Sequence, residues 1–171
     1  MKWSKRLLQL KVAPKVTPSG LAPRQDTAPR TGRRGVQGRG DTAGVRPRRL
    51  SHVMLFSADL NRSIAFYRDA LELDEIYSDE DHGVAVFDCG NEVTLGLERV
   101  DPDDIDDAEM AGRFTGISFR VDDVMAVYAR LTERGVDFAE APERMEWGGI
   151  LAHFHDPAGN TLTLVQEPGE L

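Results

Sequence analysis

Lysine is missing from the last 156 residues of this chain; all four lie at or before Lys15. Cysteine is nearly missing too, and a lone Cys89 excludes an internal disulfide and suits a reducing, cytoplasmic setting. No apolar stretch approaches the roughly 20 residues that cross a bilayer, so no membrane partner is expected. The segment Met1–Leu10 begins basic but lacks both a long apolar run and a small-residue cleavage pattern, so it does not read as a secretory signal. Also absent are a Gly-x-Gly-x-x-Gly fingerprint, a phosphate loop, a Cys pair and a Gly-x-Ser-x-Gly elbow. Their absence removes the familiar dinucleotide, phosphate, thiol-pair and serine-hydrolase motifs.

What the chain does contain is divided by charge. Residues 1–49 hold 13 basic side chains against Asp26 and Asp41, a formal +11, whereas the remainder holds eight arginines against 27 acids, a formal −19. The first segment is rich in Pro, Gly, Arg and Thr and has almost no apolar periodicity after Leu10. It cannot bury enough surface to offset ordering entropy, so residues 1–49 are expected to be a disordered basic extension, solvated or the product of an upstream start codon. Its charge could touch an anionic surface, but without interleaved aromatics or a folded reader nucleic acid is not the expected partner. The acidic, lysine-free remainder fits adaptation to a high-salt cytoplasm, or equally an acidic protein from a GC-rich genome.

Residues 50–171 read as one unit written twice. Ser51–Leu60 matches Thr115–Val124 at an offset of 64, and each copy continues through a helical stretch and strand-like runs into a turn. Those turns are Asp88-Cys89-Gly90-Asn91 and Asp156-Pro157-Ala158-Gly159-Asn160. In the first copy His52, Met54 and Phe56 alternate with Val53 and Leu55, and Asp59 or Asn61 can cap a helix whose buried stripe is Ile64, Phe66, Tyr67 and Leu71. Strands are expected over 83–87 and 93–98. An acidic run, Asp101–Asp107, reads as a linker with little capacity to fold. A second strand–helix–strand series follows over 116–121, 122–135 and 162–165. Each unit is therefore βαβββ, and the pair suggests a pseudo-twofold α+β domain with a shared cleft.

The pattern His52-Val53-x-Leu55, Asp59-Leu60-x-x-Ser63-x-x-Phe66-Tyr67, Gly116–Asp123, Trp147-Gly148 and Phe154–Asn160 resembles the vicinal oxygen chelate superfamily, which takes in glyoxalase I, bleomycin-resistance proteins and extradiol dioxygenases. The resemblance implies two tandem βαβββ modules forming a cupped mixed sheet around a shared cavity that holds a small molecule, frequently completed by a second chain, so a homodimer is expected. It also implies up to four metal ligands, one near the start of each module's first strand and one on each last strand. His52 stands in the first slot. Gly116 stands where metal-using relatives often carry His, Thr163 where they usually carry Glu, and the remaining slot falls on Thr94 or Gly96.

Glu98 shares a strand face with Thr94 and Gly96, so His52 and Glu98 are the candidate metal pair. Two donors are a weak site for Zn, Ni, Co, Mn or Fe, and the leading expectation is a binder without a tightly held metal. In it His52, Ser118 and Thr163 supply polar contacts, Met54 and Trp147 apolar ones, and Glu98 a charge. Gly96 and Gly116 leave room for the ligand. His153 is a further lining candidate, facing the cavity or solvent. Trp147 beside Gly148-Gly149 is either an aromatic lid or a loop anchor. The alternative is a divalent-metal-dependent glyoxalase-type lyase or isomerase, or a dioxygenase, with His52 as the catalytic candidate.

Overall fold

In the computed structural model, which describes residues 49–169, Asp59 ends one element and starts the next. Strand β1 (His52–Ser57) runs into helix α1 (Leu60–Ala65), whose first turn is capped by the Asp59 carboxylate accepting from the Arg62 amide at 3.1 Å. Ser63 Oγ donates to Ser57 Oγ at 2.8 Å inside this junction, so both buried hydroxyls are satisfied. The helix then widens into one π turn, Phe66–Ala70. Strands β2 (Asp74–Asp79), β3 (Val84–Asp88) and β4 (Thr94–Arg99) complete the first module. Their order is β1-β4-β3-β2, with β1 parallel to β4 and the other pairs antiparallel.

The second module repeats the plan. It has β5 (Phe114–Arg120), α3 (Val124–Glu133), β6 (Asp137–Phe138), β7 (Glu143–Arg144), β8 (Ile150–His155) and β9 (Thr161–Gln166). The order β5-β9-β8-β6 mirrors the first sheet, with β7 also pairing β8. Asp123 caps α3 as Asp59 caps α1, accepting from the Ala126 amide at 3.0 Å. The charged run between the modules departs from expectation. Asp104 caps a short helix, α2 (Ile105–Ala108), because Asp side chains that cannot build a core can still satisfy the free amides of a single turn.

One apolar core serves both modules. Leu55, Tyr67, Phe87, Leu95 and Leu97 of the first are buried with Val124, Leu131, Phe154, Leu162 and Leu164 of the second. Phe66 and Phe154 approach with ring centroids 6.4 Å apart across the join. A buried polar clasp reinforces it. Tyr67 Oη donates to Asp156 Oδ2 at 2.8 Å, and Asn160 Nδ2 donates both to Asp156 Oδ2 and to the Phe56 carbonyl. Asn160 Oδ1 in turn accepts from the Gly112 amide at 3.0 Å. At the far side Arg134 donates to the Asp69 and Ala70 carbonyls.

The strands form two mixed sheets, one from each βαβββ module, as the repeat predicts. Both β1 and β5 are edge strands with no ladder between them among the described residues, and the Asn160 amide, from the turn before β9, donates to the Phe56 carbonyl of β1. The expected disorder of residues 1–49 falls, apart from Arg49, outside the described residues. No described helix is long and apolar enough to cross a membrane.

Candidate functional site

The β5 edge owes its shape to one irregularity. Phe114 pairs with Thr161 and Ser118 with Thr163, so four steps on β5 match two on β9. The excess is taken up as a bulge at Thr115 and Gly116. Thr115 Oγ1 donates to the Thr161 carbonyl at 2.8 Å and accepts from the Ile117 amide at 3.1 Å, and Gly116 has φ +72°, which a residue with a Cβ seldom adopts. The bulge tips Phe114 outward, leaving it 68% exposed.

Beside it lies a cleft of about 210 Å³ between β1 and β5, lined by Met54, Phe56, Met110, Arg113, Phe114 and Ile117, with Leu55, Thr115 and Asn160 behind them. Its exposed wall is more polar than apolar, with Arg113 beside the side chains of Met54, Met110, Phe56 and Phe114, a mixture that suits a flat ligand carrying a polar group. Phe114 connects this cleft to the open face of the second sheet, where its ring stands edge-on to His153 at 6.4 Å. There Ser118, Thr163 and His153 form one cross-strand row, and His153 Nδ1 is 2.8 Å from Thr163 Oγ1. Thr163 is buried and its neighbours are exposed, so the histidine and Ser118 are the reachable members of the row.

The structure thus gathers Met54 with Phe114, and through Phe114 reaches Gly116, Ser118, His153 and Thr163. It does not gather the rest. His52 is exposed at the start of β1, opposite Thr94, whereas Glu98 stands opposite Phe56. Four residues of strand at about 3.3 Å each separate the two levels by about 13 Å, too far to share one ion. Gly96 offers no free space either: it is buried, and a Cβ there would overlap Met54 Sδ, since the thioether of its register partner already covers it. Gly116 does face open space, with only the Phe114 ring 4.0 Å from a built Cβ.

Trp147 sits at the far end of the second sheet. Its indole lies over Gly149, where any Cβ would overlap the ring, and half of it stays exposed. Sequence reasoning missed Phe56, Met110, Arg113, Phe114 and Asn160. The signal for the bulge was available in Gly116, a glycine interrupting a strand pattern.

Among the described residues no three His, Cys, Asp or Glu side chains cluster as a metal site, and the ligand slots implied by the resemblance hold Thr94, Gly96, Gly116 and Thr163 beside His52. These residues do not fit a divalent ion that needs three or more protein donors. Burial and then the Asp88 charge push the Cys89 thiol up from its usual range, which disfavours the thiolate. The one strongly perturbed tyrosine, Tyr67, belongs to the clasp: burial first, then Asp156, holds its hydroxyl protonated well above the ordinary range.

The fold and the paired modules define a class. The Glyoxalase/Bleomycin resistance protein/Dioxygenase superfamily model matches residues 49–164. The chain belongs to that superfamily. Among its relatives, YraH of Bacillus subtilis (strain 168) is 30% identical over 124 residues, covering 68% of this chain and 96% of that one. Metapyrocatechase 2 of Cupriavidus necator is 45% identical over 67 residues, which is 39% of this chain and 21% of that protein. The present chain therefore matches only about a fifth of that relative's length. Among solved structures, TnmS3, an antibiotic binding protein from Streptomyces sp. CB03234, is 29% identical with a TM-score of 0.60, covering 72% of this chain and 98% of its own.

Proposed function

We propose that this protein binds a small organic molecule in the cleft between its modules without using a tightly held metal. The observation that carries the reading is the cleft itself, an opening beside a strand bulge that combines methionine and aromatic side chains with Arg113 and is flanked by the exposed His153 and Ser118. Likeness to an antibiotic binding protein along 72% of the chain supports it. A metal-dependent lyase, isomerase or dioxygenase has the partial likeness to Metapyrocatechase 2 in its favour. Against it stands the wide separation of His52 from Glu98. In the proposed complex the ligand's flat body rests on Phe114 and the Met54 and Met110 thioethers, and His153 offers a ring nitrogen at the cleft's edge.

The test is a thermal-shift screen of small aromatic compounds on the wild type and Phe114→Ala. A ligand that prefers the native state raises its melting point. Phe114 is exposed, so its removal leaves the fold intact and should abolish or at least halve the shifts of the hits. Hits that survive unchanged in Phe114→Ala, or that appear only after a divalent metal is added, would overturn the reading.

A further inference from the structure

The polar groups around the cleft are not equally available. Asn160 is spent on its clasp, with Nδ2 donating to Phe56 O and Asp156 and Oδ1 accepting from Gly112. Thr115 Oγ1 is spent on the bulge. Arg49, Arg68, Arg130 and Arg134 each sit against a carboxylate, and Arg144 donates to the Gly148 carbonyl. Among the described residues Arg62, Arg99, Arg113 and Arg120 have neither an ion pair nor a side-chain hydrogen bond, and of these four only the exposed Arg113 lines the cleft, with no carboxylate beside it there. In a module pair with 27 acids after residue 50, an unpaired guanidinium beside Phe114 and two thioethers is a placed charge. It carries five donors in a planar fork and no acceptor.

Resting on the cleft as the binding site, we infer that its ligand is anionic: a carboxylate, or an oxyanion of similar shape, carried on a small planar apolar body. The anion takes the two-pronged contact that suits a guanidinium, and the ring or short chain stacks on Phe114 and Met54. The volume, about 210 Å³, is below the roughly 300–1,000 Å³ of drug-sized pockets and selects a one-ring molecule or the one-ring end of a larger one. This assignment reverses the electrostatic sense expected from Glu98. That carboxylate lies on β4 opposite Phe56 and is not a lining residue of the cleft.

Three probes of one shape and different charge separate the possibilities: benzoate, neutral benzamide and cationic benzylamine. Each is titrated by calorimetry and two-dimensional NMR into the full chain at about 0.15 M salt, where repulsion from distant carboxylates is screened over about 8 Å. Benzoate should bind at least tenfold more tightly than benzamide, with benzylamine weakest. Arg113→Gln should remove that advantage while leaving benzamide unchanged, Arg113→Lys should keep part of it, and Arg62→Gln, an exposed arginine outside the cleft, should keep all of it. Equal binding of benzoate and benzamide, or benzoate binding unaffected by Arg113→Gln, would overturn the anion assignment and leave the cleft standing. No shift of cleft resonances with any probe would sink both.

Discussion

Replacing Tyr67 by Phe removes one oxygen from the clasp that holds the modules together, and its cost can be worked from the contacts. The phenol is fully buried and donates to Asp156 Oδ2 at 2.8 Å. Hydrogen bonds to charged acceptors contribute about 1.5–3 kcal/mol, more when the partner is left bare. Asp156 is not left bare. It still accepts from the Ala158 amide at 2.9 Å, the Asn160 amide at 2.8 Å and Asn160 Nδ2 at 2.9 Å. The ring keeps its packing on Phe66 and Phe87, with centroids 5.2 and 5.8 Å away. The loss should therefore sit at the low end, about 1.5 kcal/mol, or about 5 °C in melting temperature for a domain of this size.

The same bond gives the prediction a signature in pH. Burial and Asp156 raise the tyrosine above its ordinary value near 10. The native state therefore holds the proton more tightly than the unfolded chain. That stabilisation is complete below about pH 10 and declines as pH climbs through the raised native value. Urea unfolding followed by circular dichroism at pH 8 and at steps above 10 should show the gap between wild type and Tyr67→Phe narrowing with alkali. A gap below about 0.5 kcal/mol at pH 8, or one that is constant with pH, would refute the reasoning.

Two other outcomes follow from the site. After dialysis the protein should retain less than about 0.2 equivalents of Zn, Ni, Co, Mn or Fe by elemental analysis, because separated donors cannot hold an ion against water; a stoichiometric metal lost in His52→Ala would contradict this. Gly149→Ala should displace the Trp147 indole, which occupies the position of the new Cβ, and also crowd the Gln166 carbonyl 2.7 Å away. A destabilisation of about 1–3 kcal/mol with a changed tryptophan emission is expected, and an unaltered spectrum would show that the ring does not rest there.

Much of the fold was legible because its determinants are local. The offset of 64 exposed the two modules, and the helix starts were legible to within a residue or two, Asp59 or Asn61 and Asp122 or Asp123, because a short polar side chain before an apolar stripe favours a cap; the caps are Asp59 and Asp123. The clasp was hidden, since Tyr67 and Asp156 stand 89 residues apart and nothing local in either one names the other. The cleft was half visible. Gly116 marked the bulge, but which neighbours the tipped strand would expose depended on where two sheet edges meet. Gly96 shows the limit from the other side: a glycine on an open face suggests space, and only the rotamer of Met54 reveals that the space is filled.

Methyl NMR is the most direct test of the account. With Met54 and Met110 labelled, a titration with whichever aromatic compound gives the largest thermal shift should move both methyl signals, to the same extent with and without excess EDTA. Signals that stay fixed while the compound binds, or that move only when EDTA is left out, would contradict metal-independent binding in the cleft between the modules.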